Sequence, residues 1–201
     1  MYNFELLPLL VDRRYKLPSH AWKEYKDYGI GSKRDQAIHH SLTKEGSAEA
    51  FARYHVRTHG WPGIAYHFVI LKDGTIIWCH NPGVLSYHVG NSNKQAIGIC
   101  LVGDFRSEEP TDEQKKSLYD LHYALKKDMP NYRRTKGHNE FPGYAWKACP
   151  EFDYEAVIRG EFMEKKYNTN QILYLAKLLH EKGTSSGSGK WALKQLQKEL
   201  K

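Results

Sequence analysis

The sequence predicts an α/β fold: a mixed central β-sheet flanked by helices, followed by a short helical C-terminal appendage. Three observations predict it. Ala96-Ile97-Gly98-Ile99-Cys100-Leu101-Val102 is an uninterrupted apolar run, the pattern of a strand buried on both faces at the centre of a sheet. Residues 64–70 and 76–78 are rich in β-formers and flank Asp73-Gly74, a strong hairpin signal. Residues 111–129 form the clearest helix: Pro110 precedes it, and Thr111 and Gln114 have capping-box spacing. Leu118, Leu121, His122, Leu125 and Met129 trace its stripe, and Pro130 ends it. Strands and helices alternate without a nucleotide-binding glycine motif or an internal repeat.

The remaining elements follow in order. Residues 1–30, mixed in Tyr, Lys and Pro, are expected to be an extended lead-in that wraps the domain. Residues 35–43 predict a strand, with Ile38, His40 and Leu42 alternating against Ala37, His39 and Ser41. Residues 47–56 predict a helix capped by Ser47, with Phe51, Tyr54 and His55 on one face, closed by Gly60-Trp61-Pro62-Gly63. Residues 81–96 are expected to be loop. Residues 133–137 predict a short strand that delivers His138, and residues 153–166 a last helix with Asp153 as its cap. The main domain is thus expected over 1–167. The appendage, 168–201, comprises helices over 168–182 and 190–201 joined by a flexible Ser/Gly linker at 184–189. Ile172, Leu175 and Leu179 mark the first helix and Leu193, Leu196 and Leu200 the second. That appendage is too small to hold a core by itself.

At 201 residues the chain is long enough for one well-buried domain. Lysines and arginines outnumber carboxylates 30 to 23, a formal charge of +7 that favours a polyanionic partner. The basic residues are scattered and no nucleic-acid recognition motif is present, so nucleic acid is not the expected partner. No apolar run approaches membrane-spanning length. The N-terminus carries Glu5 and no basic segment before its short apolar run, so no signal peptide is expected. Cys79, Cys100 and Cys149 make an odd count, which fits synthesis in a reducing compartment rather than a disulfide framework.

Chemistry concentrates in residues 137–150, Gly-His-Asn-Glu-Phe-Pro-Gly-Tyr-Ala-Trp-Lys-Ala-Cys-Pro. Phe-Pro-Gly at its middle marks a loop, which allows His138 and Cys149 to fold back toward each other. Imidazole and thiolate are ligands that zinc favours, and three protein ligands leave a position open for catalysis. A third histidine is therefore sought. Adjacent residues of a strand point to opposite faces; His40 shares a face with Ile38 and Leu42, which leaves His39 as the third ligand. The competing reading makes both histidines structural.

The ordered set Ile38-His39-His40-Ser41, Ala65-Tyr66-His67-Phe68-Val69-Ile70 with Asp73-Gly74-Thr75, His88-Val89-Gly90, residues 97–105, Gly137-His138 and Lys147-Ala148-Cys149-Pro150 resembles the zinc-dependent N-acetylmuramoyl-L-alanine amidases. These share their fold with the peptidoglycan recognition proteins, and the phage endolysins of the family are the nearest likeness. The resemblance covers about residues 30–160. It implies an amidase-like mixed sheet, one Zn²⁺ held by His39, His138 and Cys149, and hydrolysis of the bond between N-acetylmuramic acid and L-alanine. It matches Tyr66 and Lys147 to catalytic positions, Glu140 to an acidic position near the site, and His88 to a cleft-lining, substrate-binding position. Bacterial peptidoglycan is the implied partner, with anionic wall polymers compatible with the positive charge. The alternative, a module that binds peptidoglycan without cutting it, usually lacks the cysteine that this chain keeps. The implied setting is synthesis in the bacterial cytoplasm and action on the wall after release. The segment between His138 and Cys149 is longer than in the shortest phage members, and residues 168–201 resemble no wall-binding module.

Overall fold

The computed structural model describes residues 1–163, 169–184 and 186–199, in two units, Met1–Arg159 and Gly160–Lys201. The strands of the first unit are β1 (Leu10–Asp12), β2 (Asp35–His40), β3 (Phe68–Ile70), β4 (Ile76–Trp78), β5 (Ala96–Leu101) and β6 (Arg134–Gly137). They form one sheet in the order β1-β4-β3-β5-β2-β6. β3, β5, β2 and β6 run parallel, while β4 pairs antiparallel with β3 and parallel with β1. The sheet is mixed, as expected. All six residues of β5 are buried, which explains why that stretch carries no polar alternation.

Two helices show why the local signals worked. α1 (Ala48–His59) starts at Ser47, whose hydroxyl accepts from Ala50 N at 3.2 Å. α2 (Asp112–Asp128) starts at Thr111, which accepts from Gln114 N at 3.0 Å while Gln114 Oε1 accepts from Thr111 N at 3.1 Å. Such a cap contributes about 1 kcal/mol. Gln114 does more: its amide also donates to the carbonyls of Ile70 (3.3 Å) and Val102 (2.8 Å), tying the helix start to the strand ends. Leu118, Leu121 and Leu125 then bury the α2 stripe.

The lead-in departs from expectation. It does not merely wrap the domain; it supplies the edge strand β1. Phe4 is fully buried, edge-on to Phe68 and Trp78 with ring centroids 5.1 and 4.8 Å away. Asp128, at the end of α2, accepts from the backbone N–H groups of Asn3 and Phe4 at 2.7 and 3.1 Å. A strand that pairs only with distant residues carries little local signature, so the sequence concealed it.

Other boundaries shift by a few residues. β2 ends at His40, and β3 begins only at Phe68, which places Tyr66 and His67 on the loop before it. The helix expected over 153–166 is α3 (Tyr154–Arg159), capped by Asp153 accepting from Ala156 N, with a 3-10 turn over Glu161–Met163. In the second unit, α4 (Thr169–Lys182) and α5 (Gly187–Glu199) pack on each other and bury Ala192. The expected linker 184–189 is shorter than proposed. α5 starts at Gly187, and the Ser186 hydroxyl accepts from Gly189 N at 3.0 Å, so Gly-Ser-Gly forms a first turn rather than a tether. Leu179, Leu193 and Leu196 are half-buried. Residues 164–168, Ser185, Leu200 and Lys201, with the side chains of Ile172 and Leu175, lie outside the described residues.

Candidate active site

The sheet gathers the candidate residues at the C-terminal ends of parallel strands, where open α/β sheets commonly place ligands. In the β2–β6 register Ile38 pairs with Gly137, so His39 and His138 follow side by side. Gly137 permits a close approach: a Cβ there would lie 2.7 Å from Pro150 Cδ. The backbone N–H of Asn139 donates to the Cys149 carbonyl at 3.0 Å, which folds the intervening loop back and returns the cysteine to the histidines. Across β2 and β5, His39 pairs with Cys100.

His39 Nδ1 and His138 Nδ1 face each other at 3.1 Å. The donor atoms of His39, His138 and Cys149 all lie within 4.8 Å of one another, and all three residues are buried. Two nitrogens bound at ordinary Zn–N lengths to one tetrahedral ion stand about 3.3 Å apart, so the pair needs to shift by only tenths of an ångström. Burial, reinforced by His138, His88 and Lys147, holds the His39 pKa well below the usual histidine value. Burial and Lys147 lower that of His138 to about 4. Both imidazoles are therefore neutral at pH 7, the form that binds metal. Burial pushes the Cys149 thiol up to about 11, against the opposing pull of the His40 backbone and Lys147. A cation would have to displace that proton. His138 Nε2 is buried with no hydrogen-bond partner among the described residues. This donor set fits a single zinc ion.

The neighbours are equally specific. The Tyr66 ring lies 5.3 Å from that of His39. Burial raises the pKa of its phenol well above the ordinary tyrosine value, with Cys100 and Cys149 acting in the same direction. Lys147 Nζ sits 4.8 Å from the Trp146 ring centroid and 5.9 Å from that of Tyr144, and Tyr144 packs on His138 at 4.5 Å. A cavity of about 400 Å³ opens here, lined by Trp61, Tyr87, His88, His138, Tyr144 and Lys147 among others. A second, of about 520 Å³, is lined by Phe51, Tyr54, His55 and Tyr66 with the 41–46 loop.

The Glu140 carboxylate accepts from Gly137 N and from the Tyr154 hydroxyl, closing the 3-10 turn His138–Glu140. It braces the backbone behind His138 and faces a different cavity, with Pro150 and Phe152. His88 is nearly fully buried, and its Nδ1 lies 3.1 Å from His39 Nε2. His40 points to the opposite face, where its Nδ1 accepts from Phe105 N at 3.2 Å. The sequence also concealed Cys100 beside the tyrosine, and the Tyr144 and Trp146 rings around Lys147. The aromatic spacing in residues 144–147 was the available signal for the latter; strand register, which places Cys100, leaves none.

The N-acetylmuramoyl-L-alanine amidase family model matches residues 35–152, which include His39, Tyr66, His88, His138, Glu140, Lys147 and Cys149. The endolysin of Enterobacteria phage K11 is 28% identical over 130 residues, covering 61% of this chain and 83% of the relative. The endolysin of Escherichia phage T7 is 30% identical over 126 residues, covering 58% and 79%. Among solved structures, the endolysin N-acetylmuramoyl-L-alanine amidase LysCS from Clostridium intestinale superposes with a TM-score of 0.66 at 25% identity, covering 77% of this chain and 96% of that one. With more than half of its length inside the matched region and its sheet superposing on a solved amidase, the chain belongs to the N-acetylmuramoyl-L-alanine amidase family, as a peptidoglycan-cleaving enzyme that resembles the phage endolysins.

Proposed function

We propose that the chain hydrolyses the lactyl–L-alanine amide of peptidoglycan with one zinc ion held by His39, His138 and Cys149. The observation that carries the reading is the convergence of two neutral imidazoles and a thiol within 4.8 Å, beside an open cavity. When bound, zinc supplies Lewis acidity and a water acidic enough to act as a nucleophile near neutral pH. The chain's own side chains do the rest. Lys147, held beside Trp146 and Tyr144 on the cavity wall, stabilises the negative charge that develops on the amide oxygen. The Tyr66 phenol, whose raised pKa keeps it protonated, orients the attacking water and relays a proton toward the leaving nitrogen. Water adds to the lactyl carbonyl, the C–N bond breaks, and a lactyl carboxylate and a free alanine amine leave.

The wider setting belongs to the same proposal. The protein is made in the bacterial cytoplasm, is released to the wall as an endolysin or autolysin, and is drawn to anionic wall polymers by its charge of +7. No helix among the described residues is long and apolar enough to cross a membrane. The chemistry is assigned to the catalytic domain expected over 1–167 and residues 168–201 to its appendage, while the compact units of the structure divide earlier, between Arg159 and Gly160. Digestion of isolated peptidoglycan tests the reaction. New alanine amino termini that vanish with a chelator and return with zinc are expected; new sugar reducing ends in their place would overturn it.

A further inference from the structure

The metal reading leaves one nitrogen of His39 to account for, and the structure assigns it a partner. We propose that His88 is a positioning residue: its Nδ1 accepts the Nε2 proton of His39, which fixes that ring's tautomer and plane and keeps Nδ1 free for the metal. The inference rests on the zinc reading above. A neutral imidazole has one proton. If His39 Nδ1 offers its lone pair beside His138 Nδ1, the proton is on Nε2, and the atom 3.1 Å from Nε2 is His88 Nδ1. His88 must then carry its own proton on Nε2, a buried atom with no close hydrogen-bond partner among the described residues, although the Ala96 backbone also acts on the ring as a hydrogen-bond partner.

A frame deeper in the protein holds His88 in place. Asn93 Oδ1 accepts from the backbone N–H groups of both His88 and Val89, at 2.9 and 2.7 Å. Lys33 is fully buried, and its Nζ donates to the carbonyls of Val84 (2.7 Å), Asn93 (3.2 Å) and Ala96 (2.9 Å). One ammonium thus clamps the start, the middle and the end of the loop that carries His88. On β5, Gly98 leaves room for the ring; a Cβ there would stand 2.9 Å from it. On another side lies His67, edge-on at 5.7 Å, whose Nδ1 accepts from Gly98 N at 3.0 Å and whose Nε2 donates to the Val84 carbonyl at 2.8 Å. Outer partners of this kind typically change metal affinity by 10–100-fold.

The test compares three substitutions by zinc competition against a chromogenic chelator, with thermal unfolding measured alongside. His88→Leu removes the acceptor. His88→Asn puts an amide oxygen where Nδ1 stood, and His88→Gln puts it about where Nε2 stood. Leu and Gln are expected to weaken zinc binding by about 10–100-fold, and Asn to restore most of it. Nitrogen NMR of the zinc-loaded protein is expected to show His39 protonated on Nε2, and Lys33→Met is expected to weaken zinc in the same direction. Zinc affinity unchanged in both Leu and Gln, or equally lost in all three, would overturn the proposal. The two amide variants keep it decidable if the leucine variant fails to fold. A parent that binds zinc no better than Cys149→Ser would instead overturn the metal reading beneath it.

Discussion

The two faces of the sheet use the same residue types to opposite ends. On the face covered by α2, buried polar groups are paired. Gln36 Nε2 donates to the His122 carbonyl at 3.2 Å, and its Oε1 meets His122 Nδ1 at 2.9 Å. Ser117 donates to the Gly74 carbonyl at 2.6 Å, and Gln114 serves two strand ends. On the other face, against α1, a packed apolar cluster around Val69 and Cys100 gives way to His39, His138 and His88. There, His138 Nε2 is buried without a partner among the described residues, and two Nδ1 atoms confront each other. His39 and His40, neighbours in one strand and about equally buried, fall on either side of this divide. Burial alone does not mark a functional histidine. An unmet hydrogen-bonding capacity does, because a fold selected only for stability pairs its buried polar groups.

That contrast can be broken or sharpened experimentally. The largest effect is expected for Cys149→Ser, which removes the soft ligand: zinc content by atomic absorption and amide cleavage should disappear together. A fully active serine variant would refute the ligand set. Lys147→Ala should keep its zinc and lose about 10²–10³ in kcat, the usual cost of removing one oxyanion donor; a change confined to KM would make Lys147 a binding residue. On the closed face the pattern reverses. Leu118→Ala, at a fully buried α2 position, should cost about 2–5 kcal/mol in denaturant unfolding and leave the rate per folded molecule unchanged.

The smallest effect concerns pH. Burial, with a lesser contribution from Lys126, lowers the His122 pKa to about 4, against about 6.5 in an unfolded chain. Between these values the unfolded chain binds more protons, so stability is full above pH 6.5 and falls as the pH drops toward 4. His122→Gln should flatten that part of the stability profile, with unfolding curves at pH 7, 6 and 5 as the measurement. An unchanged slope would mean that His122 is charged in the folded protein.

Much of this architecture was legible because it is written locally. The β5 run, the Asp73-Gly74 turn and the Thr111/Gln114 box each declare their structure within a few residues. The nearness of His138 and Cys149 was legible for the same reason, since they share one short loop. What stayed hidden depends on distant pairing. β1 has meaning only beside β4, and Lys33 looks like any surface lysine until residues 84–96 close over it. Glu140 shows how one carboxylate carries two local signals: it stands two residues from the proposed ligand His138, and its three-residue spacing to Gly137 lets it cap that turn.

X-ray absorption at the zinc edge of the purified protein reads the proposed ligand set itself. One zinc per chain is expected, with one sulfur at about 2.3 Å and two imidazole nitrogens at about 2.0–2.1 Å completed by one further light atom. A spectrum without the sulfur shell, or one showing four protein ligands and no open position, would contradict it.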